Sequence, residues 1–128
     1  MLQDAKAFSG FAVDDLDKAE GFYRDTLGLK TTRDNEMGML TLNLSGGRDV
    51  MIYPKDDFTP ATYTILNFPV DDVDQIVVDL RDKGVTFEQY EGFDQDEKGV
   101  ARGDQGPAIA WFKDPSGNIL SILENSAM

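Results

Sequence analysis

The chain contains neither cysteine nor histidine. Without a thiol there is no thiolate nucleophile, disulfide, cysteine-ligated zinc or iron–sulfur cluster. Without imidazole, serine triads and the common zinc, iron and copper sites lose their usual base or ligand. Positive charge is also scarce: 12 Lys and Arg stand against 24 Asp and Glu, a formal net charge of −12. Such a charge repels phosphate backbones and anionic lipid, so neither nucleic acid nor a membrane is an expected partner. The carboxylates are scattered rather than clustered, which suits solubility. Long apolar runs are missing too, and Met1-Leu2-Gln3-Asp4-Ala5-Lys6 lacks the apolar segment of a secretory signal, so a cytoplasmic location is the expectation.

What is present is a repeat. Phe11-Ala12-Val13-Asp14-Asp15-Leu16-Asp17-Lys18 returns as Phe68-Pro69-Val70-Asp71-Asp72-Val73-Asp74-Gln75. At the same offset Arg24-Asp25 falls opposite Arg81-Asp82, and after a one-residue slip Gly28-Leu29 falls opposite Gly84-Val85. One module is written twice. Related modules usually pack about a pseudo-twofold axis, so a ligand is expected in a cleft lined by equivalent positions of both. With 41% hydrophobic residues, 1–128 reads as a single domain with one core, its modules spanning about 5–54 and 62–125.

In the first module, Lys6–Val13 alternates in the period-two manner of a strand. Asp14 or Asp15 then suits a helix N-cap, Leu16, Ala19, Phe22, Tyr23 and Leu27 form the apolar stripe, and Gly28 ends the helix. Strands are predicted at Leu29–Arg33, Met39–Leu44 and Asp49–Tyr53, separated by turns at 35–38 and 45–48. The second module predicts a strand over Tyr63–Val70 and a helix with Val73, Ile76, Val77 and Leu80 buried and Gly84 as its stop. Further strands are predicted at Thr86–Tyr90, Ala108–Lys113 and Ile119–Glu124. Each module is thus expected to be βαβββ, an α+β fold. With Pro54 and Pro60 and the charges between them, 55–61 reads as a linker, and 92–106 as an irregular loop longer than a hairpin needs.

The doubled module, with Val13-Asp14-Asp15-Leu16-Asp17 before Phe22-Tyr23 and Leu27-Gly28-Leu29, resembles the vicinal oxygen chelate superfamily. That group contains glyoxalase I, bleomycin-resistance proteins and extradiol dioxygenases. Trp111-Phe112-Lys113-Asp114-Pro115-Ser116-Gly117-Asn118-Ile119-Leu120-Ser121-Ile122 is similar to the family's last hairpin. The resemblance covers nearly the whole chain and implies two βαβββ modules curved into an incomplete barrel around a cavity. It also implies metal ligands, in metal-dependent members, on the first and last strand of each module. Carried over with Val13 and Val70 as anchors, those positions hold Phe8, Ile65, Ser121 and Met51, or Ile52 in the neighbouring register. Phe, Ile, Met and Ser leave a divalent ion without charge compensation, so no metal or other cofactor is expected.

The remaining candidates have ordinary structural readings beside functional ones. The Asp14-Asp15 and Asp71-Asp72 pairs stand where helix caps belong. Asp94-Gln95-Asp96-Glu97-Lys98-Gly99 begins like a calcium loop, but Lys98 and Gln105 occupy positions that need oxygen anions. Ser45-Gly46-Gly47-Arg48 reads as a turn rather than an anion cradle. Phe8, Tyr53 and Trp111 make an aromatic wall or simply core. Arg102, near Asp104, offers a guanidinium for an anionic group or a surface ion pair, and Lys113 has the same ambiguity.

The expected function is metal-free binding of an apolar or aromatic small molecule by a homodimer, with Phe8, Met51, Tyr53, Ile65, Arg102, Trp111 and Ser121 lining the cavity and no residue assigned to catalysis. The carboxylate excess suits a cationic guest. The alternative is a metal-independent lyase or isomerase drawing on Tyr53, Arg102, Asp104 or Glu124. A third reading is a degenerate module kept for protein contacts, which predicts a filled cavity and an apolar outer patch.

Overall fold

In a computed structural model that describes residues 1–103 and 106–125, the chain divides into two compact units, Met1–Thr59 and Pro60–Met128. Both begin with the same local device. Asp15, in extended backbone, accepts a hydrogen bond from Lys18 N, and Asp72 does the same for Gln75 N. Each carboxylate satisfies an otherwise free amide of the first turn and sits at its positive dipole end, so the repeated Asp-Asp motif is a helix start. Gly28 and Gly84 follow the helical segments with φ of 73° and 94°, the left-handed region that favours glycine.

The first unit is β1 (Ser9–Val13), α1 (Leu16–Gly21), a π-helical turn (Phe22–Thr26), β2 (Lys30–Asp34), β3 (Met39–Leu44) and β4 (Arg48–Pro54). Its sheet order is β1-β4-β3-β2, with β1 parallel to β4 and the other pairs antiparallel. Val13, Leu40, Leu42, Val50 and Ile52 form its buried face. Arg33, paired with Leu40, ties that face to α1 through Glu20 at 3.0 Å and Asp17 at 3.1 Å. The helix predicted to run to Leu27 changes pitch at Phe22. The wider π turn ends on a Leu27 N to Phe22 O bond of 3.0 Å, and Tyr23 is fully buried with its ring 6.0 Å from Phe11. β1 also begins later than predicted, at Ser9, which leaves Phe8 outside the ladder.

The second unit is β5 (Thr64–Val70), α2 (Val73–Asp82), β6 (Ile109–Lys113) and β7 (Ile119–Glu124), in sheet order β5-β7-β6 with β5 parallel to β7. Ala110, Phe112, Leu120 and Ile122 are buried on one face, and α2 contributes Val73, Val77 and Leu80 to this core. Each Val, Leu, Ile or Phe among them contributes about 1.5–3 kcal/mol when buried. Pro69 lacks a ladder donor, and β5 is an edge strand that tolerates it.

The strand predicted over Thr86–Tyr90 does not form, so among the described residues this module has three strands. Only Phe87 bridges to Phe112, with Glu88 N donating to Trp111 O at 2.8 Å. Beyond that point a side chain takes the place of a neighbouring strand. Gln95 accepts from Tyr90 N at 2.7 Å and donates to Glu88 O at 2.9 Å and to Gly99 O at 2.7 Å. Backbone groups satisfied by an amide need no ladder. Neither sheet closes on itself.

Candidate functional site

The position of the polar groups in the second unit starts from one turn. Asp114, 5% exposed, accepts Ser116 N at 3.0 Å and Asn118 N at 2.9 Å through one oxygen, and Asn118 Nδ2 at 3.0 Å through the other. This holds Asp114-Pro115-Ser116-Gly117-Asn118 as a tight connection, and a tight connection sets strand register. The register that results pairs Trp111 with Ser121 across β6 and β7, and Asn67 with Ser121 across β5 and β7. Directly paired residues share a face, so Asn67, Ser121 and Trp111 form one row on the face opposite Phe112 and Leu120.

Ser121 is fully buried, and its Oγ donates to Asn67 Oδ1 at 2.5 Å. Asn67 is itself exposed, so its amide oxygen is held while its NH2 group keeps two donors. At the other end of the row, the Trp111 ring centroid lies 5.5 Å from Tyr90 and 5.0 Å from Phe93. Phe93 is 56% exposed, and Tyr90 Oη is buried with no hydrogen-bond partner among the described residues. Burial, and then the charge of Glu88, push the Tyr90 phenol above its ordinary pKa. Beside the row, Lys113 Nζ and Glu88 pair at 3.5 Å, so this face carries no net charge from that couple.

The other expected site residues fall in different places. Met51 lies between Gly10 and Thr41, on the opposite face of the first sheet from fully buried Ile52. Tyr53 shares the Met51 face and is 39% exposed. Phe8, 66% exposed, precedes β1. Ile65 is the extra residue of an irregularity between Thr64 and Leu66. Arg102 is engaged within its own unit, by Asp74 at 2.5 Å and Asp96 at 3.3 Å. Its hydrogen bond to Asp74 raises the pKa of its guanidinium and keeps it charged. Asp104 lies outside the described residues, and Glu124 ends β7.

Asp96, within the stretch that begins like a calcium loop, instead accepts Lys98 N at 2.9 Å and Val100 N at 3.0 Å. Asn67 was not singled out from sequence. Its signal was a lone amide at an alternating position of an apolar strand, opposite Gly10 in the repeat.

The positions where the resemblance implies metal ligands therefore offer one thioether, from Met51, and one hydroxyl, from Ser121, already donated to Asn67. Such donors do not fit a hard divalent cation, which needs several oxygen ligands carrying negative charge. Among the described residues no three His, Cys, Asp or Glu side chains are grouped to hold an ion. No described helix is long and apolar enough to cross a membrane.

The chain belongs to the Glyoxalase/Bleomycin resistance protein/Dioxygenase superfamily, whose model matches residues 7–122. Among solved structures it is similar to an antibiotic-binding protein from Streptomyces sp. CB03234, with a TM-score of 0.70 and 20% identity over 95% of this chain and 98% of that one. A superfamily member from Sphaerobacter thermophilus gives 0.70 and 24% over 92% and 96%. A lactoylglutathione lyase from Agrobacterium tumefaciens gives 0.69 and 22% over 96% and 95%. At such identities the likeness establishes the fold. No curated protein matches the chain in sequence.

Proposed function

We propose that the protein binds a small apolar or aromatic molecule without a metal ion, and that Trp111 and its aromatic neighbours form the contact surface. The superfamily fold carries both an antibiotic-binding protein and a lactoylglutathione lyase, so binding and catalysis are distinguished by side chains and not by topology. The observation that carries the reading is the row Asn67–Ser121–Trp111. Where an ion-holding carboxylate is expected from the family, Ser121 makes a neutral hydrogen bond, and an indole flanked by Tyr90 and Phe93 stands next to it. Aromatic surface and neutral donors bind by area and shape, with no bond making required.

The lyase or isomerase alternative loses support from Arg102, whose charge is occupied by Asp74 and Asp96. A homodimer and a cytoplasmic location belong to the proposal, the first checked by light scattering and the second by fractionation of the producing cells.

Trp111 is the sole tryptophan, so its fluorescence reports on this site alone. Titration with 2-ethylnaphthalene should quench it saturably and raise the melting temperature by mass action, while Trp111→Leu removes the binding heat. Elemental analysis should find no stoichiometric metal. A tightly held divalent ion, or the absence of saturable binding by any of a panel of flat aromatic compounds, would overturn the reading.

A further inference from the structure

We infer that Asn67 is the specificity-determining residue of this site, and that the ligand it selects is a flat aromatic compound bearing a neutral hydrogen-bond acceptor such as a ketone oxygen. The inference rests on the binding surface proposed above and adds the chemical class of its occupant.

The argument begins with Ser121. A hydroxyl with no solvent exposure must find a partner, and it finds the Asn67 carbonyl oxygen at 2.5 Å. That bond decides which way the amide points. With Oδ1 held by the buried hydroxyl, the Asn67 NH2 group is the end left for a ligand, and it can only donate. The site therefore asks for an acceptor. Trp111 lies in the same row, two interstrand spacings away, or about 10 Å. That span matches a fused bicyclic ring with one polar substituent.

Charge narrows the class further. Asn67, Ser121 and Trp111 are neutral, and the nearby Glu88 and Lys113 pair with each other at 3.5 Å. A carboxylate ligand would find no free cation in this row and would approach a chain of formal net charge −12. A neutral carbonyl meets neither obstacle. The first unit provides an internal contrast. At the equivalent repeat position it has Gly10, where an added Cβ would stand 3.2 Å from Met51 O, so no comparable amide fits there without a shift.

The test compares two probes of one outline, 2-acetylnaphthalene and 2-ethylnaphthalene, by calorimetry and Trp111 quenching. The native protein should bind the ketone more tightly by about five- to tenfold, the effect of one satisfied neutral hydrogen bond. Asn67→Leu, similar in shape but unable to donate, should bind both probes equally. Asn67→Asp keeps an acceptor for Ser121 and offers the ligand an anion, so it should favour the hydrocarbon. Circular dichroism establishes that each variant is folded, and at the exposed position of Asn67 both substitutions are tolerated.

Equal binding of the two probes by the native protein overturns the inference but leaves the aromatic surface standing. A ketone preference that survives in both variants also overturns it. If neither probe binds, the proposed function itself is wrong and this inference goes with it.

Discussion

The two sheets grow from one repeated sequence, yet the first has four strands and the second three. They share an aspartate cap, a helix with one apolar stripe, and a first strand parallel to the last. They differ in what lies between helix and final hairpin. In the first unit, β2 and β3 are short alternating strands that meet antiparallel, Thr32 opposite Thr41. In the second, the segment after Gly84 makes only isolated bridges, Phe87 to Phe112, Gln95 to Ala101 and Ala101 to Ile109, and the Gln95 side chain holds the stretch around Phe93 and Tyr90, whose rings lie against Trp111. Losing a strand places an aromatic cluster at the end of a polar row. The comparison teaches that duplication preserved the framework while the unpaired segment became the place where the halves diverge.

Three experiments test this contrast. The largest effect is expected in the first unit, where Ile52→Ala should cost about 2–5 kcal/mol because it empties a fully buried position, while Met51→Ala on the other face should cost less than half as much. Equal losses in urea melts would show that the two faces are not distinguished as described.

Next in size, Gln95→Ala removes three hydrogen bonds that stand in for a strand, at about 1 kcal/mol each. Amide exchange should quicken across residues 88–100 while the ladder of the first unit stays protected. Acceleration spread evenly over both sheets would break the comparison.

The smallest effect has the opposite sign. Tyr90→Phe deletes a buried hydroxyl without a partner and should stabilise the ligand-free protein by about 1 kcal/mol. Because the folded phenol is raised above its ordinary value of 10.0, the unfolded chain releases this proton first as pH climbs. The cost of burying the phenol is therefore constant below that value and grows as pH rises from there to the folded pKa, which appears as a loss of stability. The variant should lack that part of the alkaline decline. An identical decline in both proteins would show that Tyr90 is not the group responsible.

Much of the architecture was legible because its causes are local. The Asp-Asp pairs, the glycine stops, the alternation of Met39–Leu44 and the Asp114-Pro115-Ser116-Gly117-Asn118 turn each act through residues a few positions apart. The strand expected at Thr86–Tyr90 misled because Phe87 and Tyr90 have the composition of a strand, and composition does not show that Gln95 will occupy the partner's place. The π turn at Phe22 escaped for a related reason. An apolar stripe at helical spacing does not distinguish one helical pitch from another until Tyr23 has a core to enter. Of the candidate site, Trp111 and Ser121 were visible through the hairpin motif, and Asn67 was not, since it gains meaning only when β5 lies beside β7.

Caps, stops, turns and the twofold repetition of the module were determined by the amino-acid order alone, because hydrogen bonds within a few residues need no distant partner. So were the missing thiols and imidazoles, which limit the chemistry whatever the fold. Tertiary structure alone decided that Met51 and not Ile52 leaves the core, that Arg102 spends its charge on Asp74 and Asp96, and that Ser121 holds the amide of Asn67. These outcomes depend on strand register and on contacts between residues far apart in the chain. Pairing of that kind is settled by which faces can be buried together, a competition that no short stretch of sequence contains.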